Sequence, residues 1–352
     1  MTNRIAIFGG GGALACTLTL LAACSPQTTA TSALPGAASA GVSAAAHVSA
    51  PVSLESPQLL ARTRPPTHPL GHGPGWLSSA AKTCKQKLFV SSYWLDYVSI
   101  YCVTGKRQNQ APIGEITAGI RGPEGAATDA KGNLYVTNTP SNTVTEYAAG
   151  STSVSFTYSQ GLSSPGAVAV DDKQNVYVTN LGAGSVAIFP QGTNSQSSTL
   201  TGIPYPIDVA VDAKSNAYVT TYTSSFSNGI VLEYLAGKSP GTDLGIDTGA
   251  PGGIVLDTSG DIVTADQRLP GVLVFPPGSA SPSKTFAQSM YNPISVRFNH
   301  SESRIFVGDS VDNAVDVFSY PSGKLVDTIT DGVDGPEGVA LYPAAPLSQH
   351  PW

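Results

Sequence analysis

From Leu88 onward, short apolar runs alternate with turns built from Asp, Asn, Gly and Ser. One unit repeats, and its clearest copy runs from Pro123 to Tyr147, PEGAATDAKGNLYVTNTPSNTVTEY. Copies begin at Pro123, Pro165, Pro206, Pro251 and Pro293, with a half copy at Pro336, in steps of 42, 41, 45, 42 and 43 residues. A period of roughly 40 to 45 residues made of short strands predicts a β-propeller with one four-stranded blade per repeat.

Each repeat keeps the same internal spacing. A Pro opens an apolar run that ends in Asp: GAVAVD at Gly166 to Asp171, IDVAVD at Ile207 to Asp212, GIVLD at Gly253 to Asp257. A polar turn leads to a second run: NLYVTN from Asn133, NVYVTN from Asn175, NAYVTT from Asn216, DIVTAD from Asp261, RIFVGD from Arg304. Six residues past its end stands a Val and nine past it an aromatic: Val144 and Tyr147, Val186 and Phe189, Val272 and Phe275, Val315 and Phe318; the Asp212 repeat carries about four extra residues, around Ser224 to Ser227, before Tyr234. The inner runs are almost continuously apolar, as expected when neighbouring blades cover both faces. One aromatic per blade reads as a wedge between blades. Asp and Asn in the turns, including Asn138, Asn180, Asp266 and Asp309, read as caps whose side chains bond local backbone.

The spacing also finds a blade that lacks its first strand. LFVSS at Leu88 to Ser92 matches LYVTN, and Val98 and Tyr101 follow in register. At the other end, Gly335 to Leu341 is a first strand with nothing after it. Placing that strand in the first blade gives an all-β fold of six four-stranded blades, twenty-four strands, and closes the ring without a weak seam.

The order of motifs resembles that of NHL-repeat propellers, most closely at Asp309 to Phe318, and the resemblance spans about Leu88 to Tyr342. It implies the fold. Propellers host hydrolases, lyases, binding modules and scaffolds, so function has to be read from a site.

Composition narrows the classes. Charged residues are 12% of the chain, about half the usual ~25%. The net charge of −6 is spread out, with no basic stripe of the kind nucleic acid requires. Met1 to Arg4 and the apolar Ile5 to Ala23 form the n- and h-regions of a secretory signal. Leu21-Ala22-Ala23-Cys24 resembles the bacterial lipobox, which implies cleavage after residue 23 and a diacylated Cys24 that holds the chain to a membrane. An ordinary cleaved signal and an uncleaved anchor are the alternatives, the latter opposed by the run Gly9 to Gly12. Ser25 implies the outer membrane where the cell has two. Residues 24–80, rich in Ala, Ser, Thr and Pro, read as a flexible linker in which His47, His68 and His72 are solvated. Residues 81–345 are assigned to the propeller and 346–352 to a tail. Cys84 and Cys102 are an even pair in an exported chain and suggest a disulfide; two reduced thiols are the alternative. A hairpin of Leu88–Ser92 with Val98–Cys102 would set Cys102 opposite Leu88, so the chain before Lys87 would have to turn back.

For chemistry, the positions after each opening Pro should face the channel: Glu124, Gly166, Ile207, Gly252, Ile294 and Glu337, then Gly125, Ala167, Asp208, Gly253, Ser295 and Gly338. Resemblance to gluconolactonase-like propellers, which hold a divalent metal with oxygen ligands, implies Glu124, Asp208 and Glu337 as calcium ligands. Their further Asn and Asp ligands have no counterpart by motif. Solvated mouth carboxylates are the other reading. Streptogramin-lyase-like propellers need a catalytic His, and His300, the one His within the propeller repeats, sits in a turn away from that mouth. The expectation is a monomeric, lipid-anchored module in a bacterial cell envelope that binds a protein or small-molecule partner through its loops or channel mouth. A calcium-dependent lactonase is the alternative.

Overall fold

In the computed structural model, residues 75–104, 110–225, 228–268, 270–349 and 352 are described. The signal, the lipobox with Cys24, and most of the linker with His47, His68 and His72 lie outside them. Six antiparallel sheets stand in a ring. Their inner strands, in ring order, are Pro336–Tyr342, Pro123–Thr128, Pro165–Val170, Tyr205–Val211, Pro251–Leu256 and Pro293–Phe298; they belong to blades 1 to 6. The C-terminal strand pairs with Lys87–Ser92, so the ring closes as the half copy at Pro336 requires.

Two departures concern the edges of the propeller. Blade 1 has a fifth strand: Trp76–Leu77 pairs with Gly114–Ile116 on its outer side, and the short helix Ser79–Thr83 follows. The folded chain therefore begins before residue 81. The apolar pair Trp-Leu is too short for any periodicity, so the sequence gives no strand signal there. The helix turns the chain back, and the Cys84–Cys102 disulfide forms with Cα atoms 5.7 Å apart. Cys102 stands opposite Lys87 rather than Leu88, one residue from the expected register.

The wedge aromatics hold the ring together. Tyr101, Tyr147, Phe189, Tyr234, Phe275 and Phe318 are all buried. Each lies in a different core cluster, and each cluster joins two adjacent blades. Tyr147, for example, packs with Phe89, Val98 and Ile100 of blade 1 and with Leu134 and Val136 of its own blade.

A hydroxyl staple sets the inner strands at the channel. Thr137 Oγ1 accepts the Gly125 N–H at 2.7 Å and donates to the Gly166 carbonyl of the next blade at 2.6 Å. Thr179 repeats this with Ala167 and Ile207, Thr220 with Asp208 and Gly252, and Ser91 with Gly338 and Glu124. Each inner strand carries a register shift close to its opening Pro, and the hydroxyl serves backbone groups that the shifted ladder leaves over. Ala265 and Gly308 occupy the same position in blades 5 and 6 and lack the hydroxyl.

Turn caps behave as the sequence suggests. Asp129 Oδ1 accepts the N–H groups of Lys131 and Asn133, and Asp171 and Asp212 do the same in their turns. Asn138 Oδ1 accepts the Arg121 N–H, Asn180 Oδ1 the Ser163 N–H, and Asp309 the N–H groups of Tyr291 and Asn292.

Candidate functional site

The channel has two mouths. The inner strands begin at one, here called the start mouth, and end at the other. The end mouth is crossed by the chain's own tail. His300 Nδ1 meets the Ala344 carbonyl at 2.7 Å, Ala213 N–H donates to the Ser348 carbonyl, and Trp352 N–H donates to Tyr218 Oη. Ala345, Leu347 and Trp352 pack on three different inter-blade clusters. Beneath the tail lies a cavity of about 110 Å³ walled by the strand ends, among them Val170, Val211 and Leu256. The tail is thus part of the propeller, not an appendage. His300 stands at this end, away from the start mouth, as its turn position implies.

Towards the start mouth the channel holds a second cavity of about 70 Å³. Its lining includes Glu124, Gly166, Ile207, Asp208, Ile294, Ser295 and Glu337, positions that the repeat assigns to the hub. Arg297 lines both cavities. Its Nη1 lies 2.9 Å from Asp208 Oδ2, and Nη2 donates to Asp208 Oδ1. Arg297 Nη1 also donates to the carbonyls of Ile254 and Val296, while Asp208 accepts the N–H groups of Ile254 and Val209. The pair bridges blades 4 and 6 over the strand of blade 5 and separates the two cavities. A buried ion pair of this kind holds only because nearly every polar atom has a partner.

The three carboxylates expected to share a metal are therefore not equivalent. Asp208 is committed to Arg297 and to two backbone N–H groups. Among the described residues, no group of three or more His, Cys, Asp and Glu side chains is placed to hold a metal ion. The donor set that calcium needs is not brought together among them.

Glu124 and Glu337 differ from Asp208. They come from adjacent inner strands in blades 2 and 1. Both line the cavity and keep part of their surface open to it, while protein crowds them on the other sides. Burial raises Glu337 to about 8, and the neighbouring Glu124 adds to the rise. Burial raises Glu124 to about 7, with the Thr139 hydroxyl pulling the other way. At this cavity Arg297 pairs with Asp208, and at the rim the Arg268 charge acts on Tyr222. Tyr93 and Tyr205 stand close enough for the Glu124 charge to raise their hydroxyls further above burial alone, and Glu337 and Asp96 also act on Tyr93.

The rim of this mouth is aromatic. Tyr205 and Tyr222 meet with ring centres 6.4 Å apart, and Tyr93 and Trp94 meet edge to face at 4.9 Å. Trp94, which follows Lys87–Ser92, is 63% exposed; Tyr291, just before Pro293, is 66% exposed. The sequence places these residues in start-mouth turns, but they do not recur from blade to blade, and the repeat gives no reason to single them out.

No known sequence family matches the chain, and no curated protein matches it. Solved structures do. A chain of a nidogen/laminin complex is 14% identical with a TM-score of 0.55, covering 73% of this chain and 98% of its own. A chain of Kuenenia stuttgartiensis hydrazine synthase is also 14% identical with a TM-score of 0.55, covering 80% of this chain and 92% of its own. At that identity the likeness is one of fold: a six-bladed propeller.

Proposed function

We propose that this chain is an exported, lipid-anchored binding module that takes its partner at the start mouth of an NHL-like propeller. One observation carries the reading. The end mouth is occupied by the chain's own tail, while the start mouth joins two exposed aromatics to a cavity holding the perturbed carboxyl pair Glu124 and Glu337. Perturbed carboxyls in a concavity mark candidate functional sites. A cavity of about 70 Å³ is far below the roughly 300 to 1,000 Å³ of a pocket that engulfs a small-molecule substrate. It suits a projecting group of a larger partner. The lipobox resemblance at Cys24 and the linker of residues 24–80 supply the anchor and the reach, in a bacterial envelope and in the outer membrane of a two-membrane cell. The calcium-dependent lactonase reading loses support because Asp208 is spent on Arg297.

Site-specific photo-crosslinking in cells tests the mouth. A crosslinking residue at Tyr291 should give a discrete adduct, and one at Leu325, exposed on the outer strand of the same blade, should not. Adducts at Leu325 alone, or at neither position, refute the reading.

A further inference from the structure

The start-mouth cavity is asymmetric in charge. Going round the cavity, Glu337 and Glu124 come from adjacent strands, Gly166 adds no side chain, and Ile207 and Ile294 supply an apolar wall. Glu337 makes no side-chain hydrogen bond or ion pair among the described residues, although protein surrounds it on all sides but the cavity. A buried carboxylate with no partner is costly, and a pair of them repel. The cation at the floor, Arg297, is paired with Asp208, and its Nη1 also donates to two carbonyls. What Glu124 and Glu337 lack is a cation of their own.

Size and shape select the cation. In this measure one water needs roughly 10 to 15 Å³, so about 70 Å³ holds about five groups of that size. An ammonium on a four-carbon stem has that bulk. The stem can lie on Ile207 and Ile294 while the ammonium donates its three hydrogens towards the two carboxyls. Tyr93 and Tyr205 stand within electrostatic reach of Glu124. Outside the cavity, Trp94 and Tyr291 flank the mouth, and a free amine would leave both uncovered. Exposed aromatics beside a charged socket are what a protein surface covers.

We infer that the start mouth is a socket for the side-chain ammonium of a lysine presented by a protein partner, seated between Glu124 and Glu337 and flanked by Trp94 and Tyr291. The inference rests on the mouth being the binding face. Seating the cation also pulls both carboxyls towards their ionised forms, so near neutral pH binding should release protons.

Calorimetry on the full chain with a capped Ala-Lys-Ala peptide tests this at pH 7.5, in two buffers of different ionisation enthalpy. Expected are saturable binding, net proton release, no binding of the norleucine analogue, and at least tenfold weaker binding by E124Q and by E337Q. W94A and Y291A should weaken the peptide and leave n-butylamine unaffected. No binding of any ammonium probe, or binding unchanged in both Gln variants, overturns the socket. Butylamine binding as tightly as the peptide overturns the protein partner. A crosslinked adduct at Tyr291 together with failed lysine binding would sink the socket and leave the mouth reading standing; failure of both would sink both. Gln keeps the shape of Glu, and circular dichroism with a cooperative melt confirms that each variant is folded.

Discussion

Replacing Glu337 by Gln should stabilise the protein in alkaline solution. Glu337 has its carboxyl raised from an ordinary 4.5 to about 8. At about 1.4 kcal/mol per pH unit, the charged form is disfavoured in the fold by up to about 5 kcal/mol. The carboxyl still touches the cavity, and solvent there recovers part of this, so about 2 kcal/mol is the working figure. The sign follows from proton counts. Between pH 4.5 and 8 the folded state binds more protons than the unfolded one, so stability falls as pH rises through that window. Glu124, raised to about 7, adds to this slope in both proteins, so the comparison with E337Q isolates the share of Glu337. Tyr93 and Tyr205 are raised above their usual value and titrate at higher pH. Urea denaturation of wild type and E337Q at pH 5 and pH 9 measures the effect. The two should be nearly equal at pH 5, with E337Q ahead by about 2 kcal/mol at pH 9. A Gln variant less stable than wild type at pH 9, or a difference that does not change with pH, refutes the reasoning.

Other expectations follow from parts of the fold that need no ligand. Thr137→Val keeps the shape but leaves the Gly125 N–H and Gly166 carbonyl without the hydroxyl, and should cost about 1 to 3 kcal/mol in a urea melt; a loss under about 0.5 kcal/mol would show that the staple is idle. Joint replacement of Cys84 and Cys102 by Ser opens a loop of 18 residues and should lower stability by about 2 to 4 kcal/mol, read as a drop in melting temperature. Deleting residues 335–352 removes the closing strand and should abolish the cooperative melt. Deleting only 343–352 should leave a folded ring that binds more of a hydrophobic dye, because Ala345, Leu347 and Trp352 no longer cover their clusters. Cys24→Ala should release the chain from membranes in fractionation, and retention would defeat the lipobox reading.

What the sequence makes legible is what repeats. Opening prolines, capping Asp residues and wedge aromatics occur blade after blade, so spacing alone assigns them, and the first strand missing before Leu88 together with the surplus strand at Pro336 reveals the closure. Features present once are harder to read. Asp208 and Arg297 are 89 residues apart, in blades that are not neighbours. Nothing in either repeat marks them as a pair, so Asp208 looks like a free hub carboxylate. Trp76–Leu77 and the tail belong to no repeat, and their places depend on edges and mouths that exist only once the ring is built. The hydroxyl of Thr137 does recur, at Ser91, Thr179 and Thr220, but in a strand it reads as ordinary β-propensity. Its second role appears only when the carbonyl of the next blade stands beside it.

Ring closure also has a consequence for how the chain is made. The strand Lys87–Ser92 gains its inner partner only when Pro336–Tyr342 arrives, after every other blade has been synthesised. Until then blade 1 presents an open, apolar β-edge, which is a template for pairing with other chains. The contact between the two ends is of the longest range the fold contains, and such contacts form slowly. A chain of this design spends its unfolded life with one edge bare, and the closing strand covers it last.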